Sequence, residues 1–201
     1  VEFSGFFVVH VAVPSVSSSY LFSLRLMFAL IQFSQAPFYS KIPTISKLYS
    51  QGNLKDNISI VVRGMNHSYW VFVLGFVFIA ICVDPLMEFN KSNIKFVSPI
   101  LWILMGYAFF VERYGAMHLH LYSITNNIIW HIVNSISGLV SILAIFLLYF
   151  YIGIFAFPIG IMIGYLSFYC WYSAKHSYRS FDLTFLNFES QTVLRPMAFM
   201  T

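Results

Sequence analysis

Between Tyr20 and Tyr172 the chain is a succession of apolar stretches, and nearly every charge falls in the short polar segments that separate them. A helix of about 20 apolar residues spans the hydrocarbon of a bilayer. Inside lipid every backbone polar group must be satisfied internally, so runs of this kind specify helices. Of the 201 residues, 59% are hydrophobic and only 9% are charged, whereas a soluble domain carries about 25% charged residues. A water-soluble globule of this size leaves too much surface exposed to hide so much apolar side chain. The expected fold class is therefore all-α integral membrane, with about five full transmembrane helices and a partial one at the N-terminus.

Full crossings are expected near 20–39, 67–86, 96–111, 121–151 and 155–172, within a helical bundle over 1–177. A cytoplasmic C-terminal segment follows at 178–201, expected to be truncated. Phe3 to Val13 is apolar but too short to cross alone, and the chain starts Val1-Glu2-Phe3. The expectation is a piece whose N-terminal portion is missing. Asp84-Pro85 is expected to end the second crossing, because the residue before proline leaves the α region. Glu112-Arg113-Tyr114-Gly115 is expected to end the third. The fourth, at 121–151, is long enough to require tilt or a kink.

Basic residues then assign sides. Lys41, Lys47, Lys55 and Arg63 follow the first crossing, Arg113 follows the third, and Lys175, Arg179 and Arg195 follow the fifth; only Lys91 and Lys95 lie opposite. The positive-inside bias puts the 41–66 linker, the 112–120 turn and the C-terminus in the cytoplasm. The net charge of +4 is spread between apolar runs rather than gathered on one face, which excludes nucleic acid as a partner. Cys82 and Cys170 lie far apart within apolar runs and read as small buried hydrophobes.

Two polar stripes interrupt the apolar spans. Arg25, Gln32, Gln35 and Tyr39 are spaced 7, 3 and 4 apart, which puts them on one helical face. Either they line a cavity, with Arg25 meeting an anionic group, or Arg25 snorkels to the headgroups while the glutamines bond neighbouring helices. Asn127, His131 and Asn134, continued by Gly138 and Ser141, form a second face. It reads as a polar cavity wall or as interhelical packing. Gly160 and Gly164 form a GxxxG motif, which predicts a close helix contact. His118-Leu119-His120 does not suit a metal, because residues two apart on a helix point away from each other. No catalytic or metal-binding residue is expected, nor any bound cofactor. The 13 tyrosines suit interfacial anchoring.

The run Ala36-Pro37-Phe38-Tyr39-Ser40-Lys41-Ile42-Pro43-Thr44-Ile45-Ser46-Lys47-Leu48, followed by Gln51-Gly52-Asn53-Leu54-Lys55, resembles the polysaccharide and O-antigen flippase branch of the multidrug/oligosaccharidyl-lipid/polysaccharide (MOP) exporter superfamily. Glu112 to His118, followed by Leu121-Tyr122-Ser123, is similar to translocases of that branch. The resemblance covers roughly 19–177. It implies the second of two six-helix bundles, with the first bundle of the same protein as its missing partner. It also implies a bacterial cytoplasmic (inner) membrane location with a cytoplasmic C-terminus. The implied activity is translocation of an undecaprenyl-diphosphate-linked oligosaccharide by alternating access. The protein would then be no enzyme, its partners would be that lipid-linked oligosaccharide and membrane lipids, and coupling would be to a proton or sodium gradient. The competing expectations are a drug or metabolite exporter of the same fold, which wants an intramembrane carboxylate, and a membrane polymerase or acyltransferase, for which the outer loops leave little room.

Overall fold

The computed structural model describes residues 14–89, 95–125 and 129–200. The expected partial crossing at 3–13, the loop carrying Lys91, and Asn127 lie outside the described residues. All regular structure among the described residues is helical: α1 (Pro14–Ser34), α2 (Ala36–Tyr39), α3 (Ile42–Ser50), α4 (Leu54–Phe89), α5 (Pro99–Ser123), α6 (Trp130–Ile152), α7 (Ala156–Gly164), α8 (Cys170–Phe181), α9 (Phe185–Gln191) and α10 (Leu194–Met200). A 3₁₀ turn at Gly153–Phe155 precedes α7, and a π turn at Tyr165–Tyr169 joins α7 to α8.

Local chemistry sets these boundaries. Ser98 caps α5 by accepting from the Leu101 amide at 3.4 Å, and Pro99 occupies the first turn, where its missing N–H costs nothing. The chain breaks at Gln35, two residues before Pro37, whose ring cannot continue the α1 ladder. Gly153 ends α6 at φ 56, a left-handed angle that favours glycine.

Two expected boundaries are corrected. Asp84-Pro85 does not end its helix, because α4 runs on to Phe89 with Pro85 inside it. Only one ladder bond is forfeited there, within the last turn and a half, and the ring faces outward. Glu112-Arg113 likewise lies in the middle of α5, where its side chains find partners inside the bundle. The long crossing expected at 121–151 divides accordingly. Its first residues close α5, and α6 is a 23-residue helix about 34 Å long, a length that fits a bilayer without a kink.

The helical runs have two common ends. At one, Ser18, Ser19, Lys95, Val97, Ile154 and Phe155 surround a cleft of about 730 Å³. At the other, Tyr39 meets His120, Tyr49 meets Phe181, Asn66 bonds the Gln191 carbonyl, and Arg113 bonds Gln35. Thus α1, α4, α5, α6 and the α7–α8 run alternate in direction. Lys41, Lys47, Lys55 and Arg63, with Lys175, Arg179 and Arg195, gather toward the second end, and of the described basic residues Lys95 stands at the first.

By length and composition, three stretches are apolar enough to cross a membrane: Val16–Ser50, Leu54–Phe89 and Trp130–Phe181. The expected count of five rests on α5 as well, whose second half carries Glu112, Arg113, His118 and His120. The core is aromatic and sulfur-rich: Tyr20, Met27, Phe38, Met65, Phe72, Phe109 and Phe157 are buried completely or nearly so. Large apolar side chains also cover the outside. Phe78 and Ile81 of α4, and Leu143, Phe146, Leu147 and Phe150 of α6, are all exposed. Apolar surface of this extent belongs against lipid or another apolar partner.

The GxxxG motif performs the expected packing. A Cβ on Gly160 would stand 2.8 Å from the Ile145 amide nitrogen, and one on Gly164 would stand 2.5 Å from the Ser137 carbonyl oxygen. Both obstacles are α6 backbone, which cannot rotate away. We expect Gly164→Leu to separate α6 from α7 and destabilise the fold by about 1–3 kcal/mol, an overpacking cost. Thermal unfolding in detergent checks this; an unchanged midpoint would contradict the packing.

Candidate functional site: a buried polar layer

The most concentrated polar chemistry lies between α5 and its neighbours toward the second end. Arg113 is only 4% exposed. Its guanidinium donates to Gln35 Oε1 and to the Ile31 carbonyl, each at 3.3 Å. Arg113 thereby ties α5 to the break between α1 and α2. The neighbouring Glu112 is held by Tyr165 of the π turn, and its Oε2 is buried without a hydrogen bond. Arg113 is the adjacent countercharge for this carboxylate. Two turns on, the Tyr39 hydroxyl lies 2.9 Å from His120 Nδ1.

A second group forms on another side of α5. Glu189 of α9 is 1% exposed. Its carboxylate accepts from Tyr114 at 3.0 Å, from Tyr178, and from Thr192 at 3.1 Å. His118 is fully buried beside it, with Nε2 3.3 Å from Glu189 Oε1. Ser177 donates to the Ala174 carbonyl, so its oxygen is left to accept from His118 Nδ1 at 2.6 Å. The lone pairs of the carboxylate suit three hydroxyl donors. The arrangement fastens the short α9–α10 segment beneath the bundle.

The expected site residues divide between this layer and the exterior. Gln35 and Tyr39 join Arg113 and His120. Arg25 and Gln32 are exposed on α1, although Gln32 accepts from the Gln35 amide. His131 and Asn134 are exposed on α6, and the Cβ direction of Gly138 meets open space. Ser141 instead lies against Gly164, so the stripe passes from an open face into packing. Reading the sequence missed Arg113, His118 and Glu189. A signal existed for Arg113: Gly106, Phe110, Arg113, Met117 and Leu121 continue one buried helical face without interruption. No such signal marks Glu189, whose partners are up to 75 residues away.

A third polar region flanks the first half of α4. Lys55, Ser59, Arg63 and His67 recur every four residues along one face. They line a cleft of about 430 Å³, and Arg63 and His67 reach a second cleft with Lys41 and Thr44. Neither lining includes a carboxylate. Among the described residues no three His, Cys, Asp or Glu side chains are grouped as a metal site. No protein-family model, curated protein or solved structure matches the chain.

Proposed function

We propose that this chain is part of a bacterial inner-membrane translocator that moves an anionic, lipid-linked oligosaccharide across the bilayer. The observation that carries the reading is the open polar face of α6. His131 and Asn134 lie on a helix otherwise clad in exposed apolar side chains. His131 opens α6 and Asn134 follows one turn in; a polar group inside a span is costly against lipid and serves when it lines a cavity or meets another helix. A second bundle closing over that face would enclose a wet path for sugar between two apolar walls, opened alternately to each side. Arg25 would then meet the diphosphate from α1, since a guanidinium binds phosphate oxygens in pairs. The acid-free clefts around Arg63 suit the same anion at the entry side. In this reading five helical runs cross the membrane, with the linker at 41–66 and the C-terminus in the cytoplasm, following the gathering of basic residues at one end.

The test is the leaflet in which lipid-linked oligosaccharide accumulates in cells lacking the gene, read with a glycosidase that cannot cross the membrane. The expected result is protection of the glycan on the cytoplasmic side and loss of surface polysaccharide. Restoring the gene with Arg25→Ala is expected to leave most of the glycan protected. Oligosaccharide that reaches the outer leaflet unpolymerised would contradict the proposal and point to a polymerase.

One observation favours a second reading. Glu112 is a carboxylate midway along α5 rather than at a membrane edge. An exporter of small cations driven by an ion gradient needs such groups. It would share the fold and differ in substrate, and Glu112→Gln would abolish its transport.

A further inference from the structure

We infer that the cleft beside α8 binds an anionic phospholipid, with the lipid phosphate between Lys175 and Arg179. This goes beyond the question of what the protein transports and depends only on α8 passing through the membrane surface.

The membrane level is marked by rings. Phe168 stacks on Tyr172 with centroids 4.6 Å apart, Tyr172 touches His176 at 4.5 Å, and Trp171 donates to the Ser167 carbonyl at 2.6 Å. Amphipathic rings collect at the headgroup boundary. Lys175 and Arg179 follow Trp171 by one turn and two turns, so they stand about 6 and 12 Å further along the axis. That is headgroup depth. Trp171, Lys175 and Arg179 line one cleft of about 740 Å³, which Leu166, Cys170 and Ala174 line toward the membrane.

The cleft has the two-part character of a lipid. Its apolar wall suits the start of an acyl chain, and its rim offers two cations that make no ion pair among the described residues. Asp182 also lies on the lining, leaving the rim with a single net positive charge. Asp182 sits exposed at the left-handed cap of α8, with φ 50, three residues beyond Arg179 and seven beyond Lys175. A monoanionic phosphodiester lipid matches this charge better than a free, doubly charged phosphate, which also has nothing to place on the apolar wall.

The test uses the purified full chain in phosphatidylcholine vesicles carrying a minor fraction of brominated lipid, which quenches nearby tryptophan. Brominated phosphatidylglycerol is expected to quench more than brominated phosphatidylcholine at the same mole fraction. The excess should correspond to about a 10- to 30-fold preference for the anionic lipid, the scale of two basic residues at an anionic surface. Trp171→Phe is expected to remove the excess, and so is the double change Lys175→Gln with Arg179→Gln. Both variants alter exposed side chains, and an unchanged far-ultraviolet helical signal verifies their folding. Equal quenching by the two lipids in the unaltered chain, or an excess that survives either variant, would overturn the inference. Relief of the excess by inorganic phosphate would overturn the lipid as occupant and assign the site to the free anion.

Discussion

Replacing Glu189 with Ala is expected to cause the largest loss of stability of any single substitution in the C-terminal segment. The carboxylate is the shared acceptor for Tyr114, Tyr178 and Thr192, and it faces the buried imidazole of His118. Its removal takes the shared acceptor from those hydroxyls and leaves Ser177 as the hydrogen-bond partner of the buried His118 ring. Leaving a buried polar group without an acceptor costs about 1–3 kcal/mol, and several such groups meet at this carboxylate. The effect should be directional: α9 and α10 lose the attachment that holds them beneath α5, while α6 and α7 are untouched. Limited proteolysis is expected to cut between Phe181 and Val193 in the variant and to spare the parent. Glu189→Gln keeps an acceptor and should cost less. A double substitution with His118→Ala should fall short of the summed single effects, because the two residues share one interaction. Additive losses would contradict the pairing.

Arg113→Met is the second large effect. Methionine fills comparable apolar volume, so the substitution isolates the guanidinium. Its loss removes the bridge to Gln35 and to the Ile31 carbonyl and strips Glu112 of its adjacent countercharge. The expected cost is about 3–5 kcal/mol, set by the buried carboxylate left uncompensated. Arg113→Lys should rescue little, because an ammonium cannot reproduce a planar fork reaching two acceptors. Arg113→Met combined with Glu112→Gln should recover part of the loss, since no charge then remains buried there. Midpoints of thermal unfolding in detergent decide this. Full rescue by lysine would show that charge, rather than the fork, holds α1 to α5.

The helical class, with stretches long and apolar enough to cross a membrane, was legible because it rests on charge sparsity, which no tertiary contact can alter. The contact made by Gly160 and Gly164 was legible for a similar reason: small residues four apart admit a backbone wherever one is available. The boundaries at Pro85 and Glu112-Arg113 were misjudged because each was judged by local preference. A proline near a helix end forfeits one bond and is carried by its neighbours, and a charged pair inside a helix is retained when its partners arrive from elsewhere. Those partners, Gln35 and Tyr165, are remote in sequence, so composition gave no sign of them. Of the residues expected to line a cavity, Gln35 and Tyr39 are drawn into the buried layer, while Arg25, His131 and Asn134 face outward. That division depends on which side of each helix meets the core, and polar spacing alone does not specify it.

The measurement that tests the central claim, five crossings with basic residues on one side, is cysteine accessibility in intact cells. Cys82 and Cys170 are first replaced by alanine. Single cysteines are then placed at Ser46, Lys95, Ile152 and Ser190, all on exposed positions, and treated with a maleimide that cannot cross the membrane. The account predicts labelling of Lys95→Cys and Ile152→Cys from outside, and labelling of Ser46→Cys and Ser190→Cys only after the membrane is permeabilised. External labelling of Ser190→Cys together with protection of Ile152→Cys would contradict it.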